Sequence, residues 1–201
     1  MNPNLVKTQR GFKTLRKDSQ GRIHLKIVFY GPSLSGKTTG LRWLYDQVEG
    51  LTKGGFTSIA DPTGRTLYFD FTPFSASGKV ILDAYTVAGQ ARHKSQRKVI
   101  LRGVDGIILM LDSTPEMQQY NKESVDELKE FLGDRFGTEV PVVLTLNKRD
   151  VPNAMNRDEM LTGLGLDGYP IYETIATKGI GIKRAFQSIA REILLKQLYG
   201  K

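Results

Sequence analysis

The chain of 201 residues contains no cysteine. Disulfides, thiolate metal sites and cysteine nucleophiles are excluded, and the composition suits a reducing compartment. Two histidines, His24 and His93, are too few for a histidine-rich metal centre, and His93 has no carboxylate beside it in sequence. No apolar run approaches the roughly 18–20 residues of a membrane helix. The basic start lacks the apolar stretch of a signal peptide. Asn2 stands where N-myristoylation needs glycine, and Leu198-Tyr199-Gly200-Lys201 is no prenylation sequence. The expected location is the cytoplasm. Acid is scarce at one end: residues 1–26 hold Lys7, Arg10, Lys13, Arg16, Lys17, Arg22 and Lys26 against Asp18 alone, so +6 of the net +8 lies there. A nucleic-acid-binding body does not follow from a charge so placed.

What is present is a soluble, globular pattern, 39% apolar and 25% charged. Residues 1–22 are polar, basic and aperiodic, and read as a flexible tail. Loose attraction of that tail to an anionic surface is worth about 1 kcal/mol per basic residue near a charged membrane. From Ile23 short apolar runs alternate with amphipathic stretches. Residues 24–31 read as a strand, 37–48 as a helix, and a glycine-containing loop follows. TLYFDFTPF (66–74) and KVILDAYTV (79–87), joined by Ser-Ala-Ser-Gly, read as an antiparallel hairpin. The runs at 104–112 and 140–147 suit parallel strands covered on both faces, with a last strand at 169–176 and helices at 116–132 and 181–199. This order predicts a doubly wound α/β fold over 23–201: a mostly parallel sheet of about six strands, one antiparallel hairpin strand, and helices on both faces.

Gly31-Pro32-Ser33-Leu34-Ser35-Gly36-Lys37-Thr38 matches G-x-x-x-x-G-K-[ST] between a strand and a helix, the mark of a P-loop NTPase. Its glycines let the backbone curl, so that N–H groups from Gly31 and Ser33 through Thr39 face phosphate oxygens at a helix N-terminus. Lys37 is placed to neutralise β- and γ-phosphates, and the Thr38 hydroxyl to ligate Mg²⁺. Downstream, Asn147-Lys148-Arg149-Asp150 ends an apolar strand. An aspartate there accepts from guanine N1–H and the exocyclic amine, a donor pair adenine lacks. Asn147 is expected to tie this loop to the phosphate loop, the Lys148 stem to cover the base, and a backbone N–H at Ala176 or Thr177 to meet guanine O6. In Val87-Ala88-Gly89-Gln90, the Gly89 N–H can bond the γ-phosphate and Gln90 can orient the attacking water. Thr66 is the candidate second protein ligand of Mg²⁺, and Arg65 a candidate arginine finger in cis. The basic run Arg92, His93, Lys94, Arg97, Lys98, Arg102 reads as a solvated helix face, with an acidic partner or anionic surface as the alternative.

Over residues 23–200 the chain resembles the Ras-like small GTPases, and within them the MglA family of bacterial motility and polarity GTPases. The resemblance rests on YGPSLSGKTT (30–39), GRTLYFDF (64–71), YTVAGQ (85–90), RKVILRGVDGI (97–107) and NKRDVPNA (147–154). It implies cycling between GTP and GDP with Mg²⁺, catalytic roles for Gln90, Arg65 and Lys37, and a roadblock-type partner that stimulates hydrolysis. It further implies effectors that bind the GTP state, and recruitment to a membrane or pole by partners. The chain departs from the common Ras-like pattern at Thr86, where aspartate usually holds an Mg²⁺-bound water, and at Ser33, usually glycine, which crowds the space for Gln90 and an arginine. Ala88 stands where MglA-like chains tend to carry proline. Asp70 on the paired strand compensates for Thr86 only if it approaches the metal. Two readings of function result: a GTP-dependent switch with slow, partner-stimulated hydrolysis, or a GTP-binding module with negligible hydrolysis. A P-loop kinase, the third, lacks an arginine-rich lid and leaves N-K-x-D unexplained.

Overall fold

The computed structural model describes residues 16–47, 52–60, 66–75 and 78–199. The strand Ile23–Tyr30 (β2) carries apolar side chains at consecutive positions, and the pleat sends them to opposite faces. Leu25, Ile27 and Phe29 enter one core, while Val28 and Tyr30 enter the other. A strand buried on both sides belongs in the middle of a sheet. Accordingly β2 lies between two parallel neighbours, Val80–Thr86 (β6) and Gly106–Asp112 (β7). The parallel ladder continues through Val142–Asn147 (β8) to Ile171–Glu173 (β9). On the other edge Thr66–Ser75 (β5) runs antiparallel to β6, with Phe71 opposite Tyr85. These six strands are the sheet expected from the sequence.

Three short strands were not anticipated. Thr52–Lys53 (β3) and Thr57–Ala60 (β4) both pair antiparallel with β5, inside a stretch that reads as loop. They are too short to carry a periodic signal and are held by the backbone of β5. Arg16–Lys17 (β1) pairs antiparallel with β2, within the stretch read as a tail, so the chain joins the sheet before Ile23. Of the hairpin turn Ser-Ala-Ser-Gly, Ala76 and Ser77 lie outside the described residues, and the Gly78 N–H donates to Ser75 Oγ at 3.2 Å.

The helices Lys37–Gln47 (α1) and Ile182–Tyr199 (α5) cover one face, through Leu41, Leu44, Phe186, Ile189 and Ile193. Gln118–Leu132 (α3) covers the other through Val125, Leu128 and Leu132, alongside Arg157–Leu161 (α4), which adds Met160. Lys94–Ile100 (α2) follows the end of β6. The parallel strands end at Tyr30, Thr86, Asp112, Asn147 and Glu173 along one edge, where open α/β sheets bind ligands.

Side chains fasten β1 at the opposite end of the sheet. Arg16 Nη2 donates to Asp105 Oδ2 at 2.5 Å, and the Lys26 N–H donates to the same oxygen at 2.7 Å. His24 stands between Asp83, at 2.8 Å from Nδ1, and Asp18, at 3.3 Å from Nε2. Burial works against the imidazolium, but hydrogen bonds and charge from Asp83 and Asp18 outweigh it and hold His24 above its usual 6.5. A raised value means that this stabilisation is fully present below pH 6.5 and fades as pH rises through the folded-state value. The stability advantage of the native chain over His24→Gln should therefore shrink as pH rises above 6.5 in urea unfolding. An advantage that does not change with pH would show that the imidazolium does not hold this strand.

Candidate functional site

Between β2 and α1 the chain turns through conformations that favour glycine, with φ +141° at Gly31 and +100° at Gly36. A Cβ at Gly31 would lie 2.1 Å from the Met110 carbonyl oxygen, and one at Gly36 2.2 Å from Asn147 Nδ2. Leu34 is also left-handed, at φ +62°, and its side chain is exposed. Lys37 opens α1, is 6% exposed, and curls back so that Nζ donates to the carbonyls of Gly31 at 3.0 Å and Pro32 at 2.5 Å. Burial, and then the charge of Arg97, pull its ammonium down to about 7 against the opposing pull of Asp70. Such a group gains from an anion placed beside it, and the curled backbone provides the cradle. Thr39, two residues on, is exposed, and Ser35 is fully buried.

Thr38 Oγ1 donates to Asp70 Oδ2 at 2.5 Å. Asp70 is fully buried, and the same oxygen accepts from Thr86 Oγ1 at 2.6 Å. The Asp70 N–H donates in turn to Thr86 Oγ1 at 3.1 Å. A carboxylate on β5 thus lies against the hydroxyl of the phosphate-loop threonine, the candidate metal ligand. Among the described residues no three His, Cys, Asp or Glu side chains cluster as a metal cage. One carboxylate beside one hydroxyl at an anion cradle is instead a donor set for Mg²⁺, which takes few protein ligands and completes its shell with phosphate oxygens and water.

Thr66 begins β5 and pairs with Ala60; its side chain lies outside the described residues, as does all of Arg65. Four residues of extended strand, about 13 Å, separate Thr66 from Asp70. Bringing Thr66 to the phosphate loop therefore requires the start of β5 to shift and its pairing with Ala60 to break. Gly89 already lies on the loop: a Cβ there would stand 2.4 Å from the Ser33 nitrogen. The carbonyls of Ala88 and Gln90 accept from Arg97 Nη1 at 2.9 and 2.6 Å. Arg97 is 5% exposed and paired with Glu127, so the reading of that residue as part of a solvated helix face is incorrect. Its neighbours Arg92, Lys94, Lys98 and Arg102 are exposed, as expected.

Asn147, at the end of β8, is the junction of three loops. Its Nδ2 donates to the Ser35 carbonyl at 2.7 Å, and its Oδ1 accepts from the Ala176 N–H at 2.9 Å and Thr174 Oγ1 at 3.1 Å. The expected tie to the phosphate loop is made, and the Ala176 N–H is engaged by Asn147. Lys148 follows at φ +65° and places Nζ 2.5 Å from Asp112 Oδ2. Asp112 was not singled out in the sequence. It is fully buried at the end of β7, its Oδ1 accepts from the Thr114 N–H and Oγ1, and Asn121 clamps its backbone on both sides. Asp150 and Thr177 are exposed at this edge, and Asp150 faces the Lys178 ammonium at 3.6 Å. Phosphate loop, base-loop asparagine and the 174–177 turn thus meet through one buried amide.

The sequence pattern of the ADP-ribosylation factor family matches residues 12–193. The chain is 38% identical over 188 residues to the mutual gliding-motility protein MglA of Myxococcus xanthus (strain DK1622), covering 90% of this chain and 96% of that one. It is 28% identical over 179 residues to ADP-ribosylation factor-like protein 6 of Caenorhabditis elegans, covering 86% and 88%. Its fold is that of the Arl6 BBS3 small GTPase from Trypanosoma brucei, solved with the nucleotide analogue GppNp, at a TM-score of 0.66 and 19% identity over 85% of this chain and 98% of that one. With a P-loop, an N-K-x-D loop and the strand order that joins them, the chain belongs to the ADP-ribosylation factor family of small GTPases and is MglA-like among them.

Proposed function

We propose that this protein is a GTP-binding molecular switch, with slow Mg²⁺-dependent hydrolysis that a roadblock-type partner accelerates. The observation that carries this reading is the Asn147 junction, which holds an anion cradle and a base-selecting loop at a fixed separation. In the proposed site Lys37 and the N–H groups of Gly31 and Ser33 through Thr39 bind the β- and γ-phosphates. Asp150 accepts both guanine donors, the Lys148 stem covers the base, and the Thr177 N–H is the one left to meet O6. Mg²⁺, when bound, would neutralise phosphate charge. Thr38 and Thr66 would hold it, with Asp70 supplying the carboxylate that Thr86 does not. In hydrolysis the oxygen of water bonds to the γ-phosphorus, the bond from phosphorus to the bridging oxygen breaks, and GDP leaves with the electron pair. One proton of that water stays on the released phosphate and the other goes to solvent. Gln90 orients this water, and Arg65 stabilises the developing charge.

The likeness to a gliding-motility protein supports a role in polarity- or motility-type assembly, with effectors reading the GTP state and partners bringing the protein from the cytoplasm to a membrane or pole. The basic start of the chain adds a weak contact with anionic surfaces. The close approach of Gly89 to Ser33 favours a second reading, a GTP-binding module with negligible hydrolysis. Single-turnover hydrolysis with and without a co-purified partner separates the two.

Asp150→Asn should weaken GTP binding and admit xanthosine triphosphate, whose C2 carbonyl matches an amide. An undiminished preference for GTP in a competition assay would remove Asp150 from the base pocket.

Arg65→Ala and Gln90→Leu should slow hydrolysis while leaving nucleotide affinity nearly unchanged, the arginine by about 10³–10⁵. Asp70→Ala should behave differently, raising the Mg²⁺ concentration needed to retain nucleotide. A normal rate in Arg65→Ala, or unaltered Mg²⁺ dependence in Asp70→Ala, would cancel the corresponding assignment.

The pairing of Ala60 with Thr66 must open for Thr66 to reach the metal. Hydrogen exchange over residues 57–60 and 66–70 should differ between GDP and GTP-analogue states more than over β7 and β8. Identical protection in both states would leave no visible switch and favour the binding-module reading.

A further inference from the structure

Gln90 is not packed in on every side. With Gly89, Ser33, Tyr30, Arg97 and Glu127 it borders a cavity of about 480 Å³ between the phosphate loop and α3. Packing on that side therefore does not hold Gln90, and a tether on its backbone restricts it there. Arg97 provides one, since a single guanidinium nitrogen donates to the carbonyls on both sides of Gly89.

That guanidinium is itself held rigid. Its Nε and Nη2 make a two-pronged contact with Glu127 of α3, at 2.6 Å to Oε1 and 2.8 Å to Oε2. The Tyr30 hydroxyl, on the last residue of β2 before the phosphate loop, donates to Glu127 Oε1 as well. Planar pairing of this kind fixes direction as well as charge, which a lysine cannot do. Burial raises the Glu127 carboxyl, but its bonds from Arg97 and Tyr30 outweigh this and hold it below the usual range, so the pair is fully ionised. The arrangement spans α2, α3, β2 and the segment carrying Gln90.

We propose that Arg97, braced by Glu127 and Tyr30, is the positioning residue that holds Gln90 in register with the phosphate loop. The proposal rests on the reading of Gln90 as the group that orients water. Arg97 touches neither substrate nor metal and acts through the backbone of residues 88–90. A misplacement of about 1 Å in such a segment can lower a rate by about 10²-fold while binding is untouched.

The test uses Arg97→Lys and Glu127→Gln in the full chain, because deleting Arg97 outright strands the Glu127 carboxylate and can unfold the protein. Four readouts are taken: thermal unfolding, fluorescent GTP and GDP affinity, single-turnover hydrolysis, and hydrogen exchange over residues 88–91. Arg97→Lys should fold, bind nucleotide within about threefold of the parent, hydrolyse about 10–100-fold more slowly, and exchange faster at 88–91. Glu127→Gln should shift the same readouts by less. On a Gln90→Leu background Arg97→Lys should cause no further loss of rate, because the two act as one unit. Unchanged exchange at 88–91 in folded Arg97→Lys overturns the proposal, as does an equal additional loss on the Gln90→Leu background. A chain that binds no GTP yet shows faster exchange in Arg97→Lys would overturn the functional reading of Gln90 and leave the tether standing.

Discussion

The buried amide of Asn147 determines where everything else at the ligand edge can sit. It has one donor aimed at the phosphate loop and one acceptor aimed at the 174–177 turn, and both are satisfied. Because the residue is 2% exposed, losing either partner would leave a polar group without water to replace it. The three loops are therefore a single cooperative unit. Gly36 belongs to it through space, since any side chain there would collide with this amide. The sheet makes the unit possible: β2 and β8 flank β7 in parallel, so Tyr30 and Asn147 finish at the same edge, two strands apart.

How much of this was legible in the sequence depends on the range over which each feature is encoded. The phosphate loop and the N-K-x-D loop are local, with spacing set by the turn each has to make, and both lie where their flanking strands predict. The six principal strands are legible for a similar reason, since each lies within an apolar run of its own. β3 and β4 are too short to leave such a run; they pair with the backbone of β5. β1 is held by contacts with Asp105 and by the His24 pair of carboxylates, whose sequence separations of 89 for Arg16 and 59 for His24–Asp83 hide them.

Charged residues were the hardest to place. Arg97 lies in a run of bases where five neighbours look alike, and only Glu127, 30 positions on, distinguishes it. Asp112 has the same character, a fully buried carboxylate at a strand end whose ion-pair partner is Lys148. Solvent exposure is the default for such residues, and what moves them inside is a partner of opposite charge arriving from another element. A composition cannot show that: Arg97 meets its partner between two helices, and Asp112 meets Lys148 where two strands end.

The charges around the phosphate loop also explain why Thr86 is tolerable. Burial depresses the Lys37 ammonium, with Arg97 adding to that and Asp70 opposing it, while the charge of Arg97 is itself paired with Glu127. A buried ammonium of this kind gains from an anion placed beside it. A second carboxylate at position 86 would lie against Asp70, where two like charges repel. With threonine there, the hydroxyl instead fixes Asp70 from both sides, through Asp70 N–H and Oδ2. The carboxylate then belongs to β5 rather than β6. On the proposed reading β5 is the strand whose start must move for Thr66 to reach the metal. On that reading metal compensation and strand position would be joined in one element, the strand proposed to sense the nucleotide also carrying the acid proposed to retain its cation.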